Sequence, residues 1–306
     1  MLWILEPFEV AFMQRALLGG VLVALICAVV GTWVVARGMA FLGEAMAHGM
    51  LPGVAIAALL GLPAVLGAAA SAVAMTVGIG VIAKRTRLSQ DTTIGLLFVG
   101  MLALGVIIVS QSRSFAVDLT AILFGDVLAI RAADLAMLAV ALVAVMAIAA
   151  LFHRSFVALA FDPRVASTLR LHPQVAQVAL VGLITLAVVA SYQAVGTLLV
   201  VGLLIAPAVA AGHWMRRLPS IMALAAALGA LSIGAGLLLS WHGGYAAGAS
   251  IALTAVLLVA LSGCTRALTR WVVAMATART MARTAAHTST HISSRSSAEK
   301  GVRALP

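Results

Sequence analysis

Nine uncharged or nearly uncharged apolar stretches recur along this 306-residue chain. They cover about residues 16–36, 40–61, 63–83, 92–110, 131–152, 174–191, 195–214, 219–240 and 246–263. A helix rises about 1.5 Å per residue, so each is close to the length needed to cross roughly 30 Å of hydrocarbon. Apolar residues make up 64% of the sequence and charged residues 9%, against roughly 45–50% and 25% in soluble domains. A water-facing surface cannot be built from such a composition. The expected fold is an all-α integral membrane protein with about nine transmembrane helices, eight or ten being the alternatives. The run 174–214 is too long for one span and is punctuated at Tyr192, Gln193 and Gly196, which divides it in two. The segment 115–129 carries Asp118 and Asp126, and reads as a short or re-entrant helix held within protein.

The net charge of +10 divides unevenly. Residues 1–265 hold 12 Lys+Arg against 8 Asp+Glu, and residues 266–306 hold 7 against 1. The excess is thus mostly a terminal tail, which points to membrane topology rather than to nucleic-acid binding. With the N-terminus outside, the inner side receives Arg37, Lys84, Arg85, Arg87, Arg154, Arg164, Arg170, Arg216, Arg217 and the tail. The outer side keeps Arg15, Arg113 and Arg131. Residues 1–265 therefore read as the membrane domain. Residues 266–306 read as a basic, Ser/Thr-rich cytoplasmic tail too poor in apolar side chains to fold. Cys27 and Cys264 lie in apolar runs, which argues against a disulfide or thiolate metal site.

No phosphate-binding loop is present, and the two lysines, Lys84 and Lys300, stand in no such motif. Nothing pairs a nucleophile with a base, so a transporter subunit is expected rather than an enzyme. Of the acids before the tail, Glu44 alone lies well inside a clear span, four residues before His48. On a helix the two share a face, and His48 falls about 12 Å from the start of its span. Pro52 lacks an N–H and so deprives the His48 carbonyl of its helical partner. Carboxylate, imidazole and carbonyl together suit Zn²⁺ or Mn²⁺ and would pass an ion without trapping it as thiolates would. The alternative is a pair that fixes helix packing, but a carboxylate at that depth is costly and favours a function. A second alternative makes Glu44 and His48 the proton relay of a proton-coupled secondary metal transporter.

Two further stretches stand out. In 191–212, Gly196 and Gly202 permit close backbone approach, Pro207 should kink the span, and Gln193 places an amide near a helix end. In the inner loop 160–175, Asp162 and Pro163 are natural helix-start residues, and Val165, Ala166 and Leu169 share one face. That short helix fits either a membrane surface or a soluble partner.

At these places the chain resembles the membrane permeases of metal-ion ABC importers, the ABC-3 family. The likeness runs over about residues 10–265 and rests on Glu44, His48, Leu51, Pro52 and Gly53, on the block from Gln193 and Gly196 through Pro207 and Ala208, and on Phe161, Asp162 and Pro163. The acid is more often Asp in such permeases; here Glu44 is one methylene longer. The resemblance implies a type II importer permease fold in a bacterial plasma (inner) membrane. It implies a pathway formed with a second copy of the chain and carrying zinc first or manganese next, with no permanently bound cofactor. Pro52, Gln193, Gly196 and Pro207 would break helices along the path. Phe161, Asp162, Pro163, Arg164, Val165 and Leu169 would form a coupling helix docked on a cytoplasmic ATPase subunit. An extracytoplasmic metal-binding protein would deliver the ion. Apart from these proteins, lipid is the expected partner and nucleic acid is not.

Overall fold

The structure, a computed structural model, describes residues 6–86, 89–110, 125–161 and 173–302. Among the described residues it is helical throughout, without strands. After a 3-10 turn, Glu6–Glu9, come α1 (Ala11–Ala36), α2 (Ala40–Gly49), α3 (Leu51–Leu59), α4 (Ala64–Arg85) and α5 (Gln90–Ser110). A second 3-10 turn, Val127–Ala129, precedes α6 (Ala132–Leu151), α7 (His153–Phe161), α8 (Pro173–Val195), α9 (Thr197–Gly212), α10 (Leu218–Gly243) and α11 (Ala247–Val302).

Eight helical stretches are long and apolar enough to cross a bilayer, with α2 and α3 together forming one of them, Ala40–Leu59. The 16-residue α9 is the ninth apolar helix and is shorter. The nine stretches read from hydropathy thus correspond to the observed helices, and the division of 174–214 falls at Gly196. Of the segment 115–129, residues 115–124 lie outside the described residues. Gly125 and the second 3-10 turn make up the described end of that segment, and Val127 of the turn is buried beside α1.

The first unit, Met1–Ala260, is organised around α1. Of the central window of α1, 72% is buried, against 17% for α5. In lipid there is little hydrophobic force between helices, so small residues that let backbones approach decide the packing. Helix α1 has such residues on every side. Gly20 meets Ile233 of α10, Gly19 meets Ile130, and Gly31 meets α9. At Gly31 a β-carbon would overlap the Leu204 carbonyl oxygen, so only hydrogen fits. The outer helices reverse the pattern of a soluble protein: Leu66, Val99, Val140 and Leu151 point outward and exposed, as hydrocarbon permits.

At the end of α1 the Arg37 guanidinium donates to the Leu159 carbonyl and, at 2.8 Å, to Gln177 Oε1. It thereby ties α1 to the ends of α7 and α8 on either side of the inner loop. The expected coupling helix begins at Phe161, the last residue of α7; Asp162, Pro163, Arg164, Val165 and Leu169 lie outside the described residues.

The second unit, Leu261–Pro306, contains the rest of α11. The tail expected to lack structure from residue 266 is helical here through Val302. Extending a helix already nucleated by a span avoids the nucleation cost, and the Ala, Met and Arg of this segment favour propagation.

Replacing Gly31 by Leu forces α1 and α9 apart. Such overpacking should cost about 2 kcal/mol or more, read as a lower melting temperature of the detergent-solubilised protein by size exclusion after heating.

Candidate functional site

Helix α2 has a buried face and a half-open stripe. Leu42, Ala45, Met46 and Met50 are essentially buried, whereas Phe41, Glu44, His48 and Leu51 succeed one another at helical spacing on the more open side. Helices α5, α8 and α9 pack against α2. Gly43, next to Glu44, is so close to α9 that a β-carbon there would lie 2.8 Å from Leu204 Cδ2. One residue, Leu204, therefore stands against both Gly31 of the central helix and Gly43 of the site helix.

The structure brings Glu44 and His48 together as their spacing requires. His48 Nδ1 lies 3.3 Å from Glu44 Oε1 and 3.2 Å from the Glu44 carbonyl oxygen. Both neighbours are acceptors, so in the neutral ring Nδ1 carries the proton and the lone pair sits on Nε2. This is the pattern in which a carboxylate orients an imidazole for metal ligation. The His48 side chain is 16% exposed and that of Glu44 39%. Phe98 of α5 packs edge-on against His48 at 5.7 Å between ring centroids and also meets Phe41 at 5.8 Å. The imidazole is thus held by a carboxylate on one side and an aromatic ring on another. Among the described residues, no third His, Cys, Asp or Glu joins the pair.

The chain breaks directly after the pair. Helix α2 ends at Gly49, and buried Pro52 stands in the first turn of α3. There its missing N–H costs nothing. The His48 carbonyl, expected to be freed by Pro52, receives the Met50 N–H across the break. The Gly49 carbonyl is taken by the Ser71 hydroxyl of α4 at 2.8 Å. The exposed backbone at the break is therefore answered by protein.

The second break lies at Gly196, between α8 and α9. Its φ of 77° and ψ of 166° belong to a region open essentially to glycine. Gly125 lies against the Val195–Gly196 peptide so closely that no side chain fits between. Gln193 is exposed, one turn before the break, while Pro207 is buried within α9. Helix α9 reaches the site helix through Leu204. Sequence reading missed Phe98, Ser71, Gly125 and Leu204. Each is an ordinary residue whose role comes from what folds against it.

The comparisons with known proteins agree with this architecture. The family model of the ABC 3 transport family matches residues 9–265. The chain belongs to that family. It is a permease subunit, not an enzyme, and ATP hydrolysis resides in a separate subunit. The manganese transport system membrane protein MntC of Listeria monocytogenes is 36% identical over 258 residues, covering 84% of this chain and 92% of that one. A probable iron transport system membrane protein of Haemophilus influenzae is 33% identical, covering 82% and 92%. Among solved structures, PsaBC from Streptococcus pneumoniae in complex with Fab superposes with a TM-score of 0.76 at 32% identity, covering 85% of this chain and 94% of that chain. The fold of that permease is thus shared over most of this chain.

Substituting Gly196 by Ala forces a β-carbon into its conformation at a cost of about 1–3 kcal/mol. The variant should show lower thermal stability and slower transport. Gly202→Ala, at a helical site with only an ordinary contact to Ala252, should match the parent in both assays.

Proposed function

We propose that this permease carries a divalent transition metal inward, manganese ahead of iron or zinc, along a path that passes Glu44 and His48. The observation that carries this reading is the oriented carboxylate–imidazole pair on the half-open stripe of α2. At about 1.5 Å per residue, His48 lies about 12 Å into a span of about 30 Å, where an acid facing acyl chains would be costly. Such a stripe is better satisfied when it faces a path shared with a second copy of the chain. One imidazole nitrogen held by a carboxylate makes a weak site, which suits an ion that must leave again. The second copy would supply further donors.

The ion is the finer part of the proposal. The pair suits both zinc and manganese, and the sequence alone leaned toward zinc. The names of the relatives move the balance: the MntC proteins are manganese transport proteins and the Haemophilus relative an iron one. A carboxylate without thiolates is also the harder donor set, which favours manganese. In this reading a cytoplasmic ATPase docks at the loop containing Phe161, Asp162, Pro163, Arg164, Val165 and Leu169, and an extracytoplasmic binding protein delivers the metal. The N-terminus lies outside and the C-terminus inside the bacterial plasma membrane, as the distribution of Arg and Lys favours. Pro52, Gln193, Gly196 and Pro207 mark the segments that move between outward- and inward-open states.

Glu44→Gln and His48→Ala should each lower manganese uptake by at least tenfold in proteoliposomes containing permease, ATPase and binding protein, with assembly unchanged on size exclusion. Uptake at the parental rate by both variants would remove the pair from the path. Flux driven by a pH gradient without ATP would replace the ABC mechanism by the proton-coupled one. Zinc carried in preference to manganese at equal concentration would reverse the assignment of the ion.

A helix-breaking Val165→Pro substitution should uncouple ATP hydrolysis from transport. The ratio of phosphate released to metal delivered should rise several-fold, and an unchanged ratio would remove the docking role.

A further inference from the structure

Helices α6 and α10 both pack along α1 but share no substantial packing with each other. Between them lies a cleft of about 490 Å³, open to the side of the molecule. Val29 of α1 forms its floor, Leu142 and Met146 of α6 one wall, and Pro219 and Ala226 of α10 the other, with His153 at one end. Met146 is half exposed, so the cleft is reached from outside the chain. From Leu142 to His153 the wall runs 11 helical steps, about 16 Å, which is close to half of the roughly 30 Å hydrocarbon core. The cleft therefore has the depth of one leaflet.

Its chemistry changes at one end. His153 and Pro219 mark the mouth; Arg154 is the next residue after the first, and Arg216 and Arg217 precede the second. All three arginines are exposed, and no carboxylate pairs with them among the described residues. In the chain, the acid that follows Arg154 is Asp162, eight residues on; from there to Glu299 the sequence has none, and α6 has its acid, Asp134, at the opposite end from His153. Exposed Trp214 stands beside the arginines, an aromatic of the kind that marks headgroup level. An apolar trough of one-leaflet depth thus ends at residues flanked in the chain by three exposed arginines.

We propose that this cleft holds an acyl chain of an anionic glycerophospholipid, with the phosphate paired to Arg154, Arg216 and Arg217. Planar guanidinium groups pair with phosphate oxygens by two parallel hydrogen bonds, and basic pockets between membrane helices are favourable for anionic headgroups. A zwitterionic lipid fills the trough equally well but brings a cation to the arginines. The charge at the mouth therefore selects the lipid, and the trough sets its orientation.

The full chain, purified with its partner subunits in mild detergent, should retain phosphatidylglycerol in about one copy per permease by native mass spectrometry and lipid extraction. In nanodiscs, phosphatidylglycerol should raise its melting temperature relative to phosphatidylcholine. The surface variant R154Q/R216Q/R217Q should lose at least tenfold of the retained anionic lipid and the thermal preference. Met146→Trp, which fills the trough, should lose the lipid with the arginines intact. Equal retention of phosphatidylcholine would overturn the proposal, as would retention of phosphatidylglycerol by the arginine variant. So would disulfide cross-linking of a Met146→Cys variant to a second permease copy, which would assign the cleft to protein.

Discussion

In hydrocarbon, a backbone N–H or C=O without a partner costs several kcal/mol, and that cost governs where this chain can depart from helix. Among the described residues, Met50 and Gly196 are departures inside apolar stretches, and at both places other parts of the protein close in. The Ser71 hydroxyl reaches the Gly49 carbonyl. Gly125 is pressed against the Val195–Gly196 peptide. A break in a membrane helix is tolerated only where protein or a lined cavity surrounds it. Both breaks therefore lie where protein rather than acyl chain meets the backbone.

The two breaks are linked through α9. Leu204 rests against Gly31 of the central helix and Gly43 of the site helix, so a movement of α9 about Gly196 would be felt one residue from Glu44. Packed interfaces of this kind have discrete arrangements rather than a continuous range.

Within the site, the pair is half-made in a chemical sense. Glu44 fixes the imidazole proton on Nδ1 and leaves Nε2 directed elsewhere, while Phe98 limits how the ring can turn. A single imidazole nitrogen, oriented by a carboxylate, is an open donor rather than an enclosed cage. A closed four-ligand cage would bind far more tightly and release slowly, which a transport pathway cannot use.

The apolar helices, their approximate limits, the position of the second break and the pairing of Glu44 with His48 were all legible in the sequence. They depend on local quantities: the length of apolar runs, the proline and glycine positions, and the 3.6-residue repeat that stacks residues four apart. The partners of those features were not legible. Phe98 against His48, Ser71 on the Gly49 carbonyl, Gly125 beneath Gly196 and the cleft left between α6 and α10 join residues remote in the chain. Nearly every residue here is apolar, so hydropathy that announces each span says almost nothing about which face of it meets which neighbour. The sequence by itself determined that the chain would lie in a membrane as helices and carry one acid–imidazole pair at depth. Tertiary structure alone decided what surrounds that pair, because helix packing in lipid is selected by shape and close approach rather than by polarity.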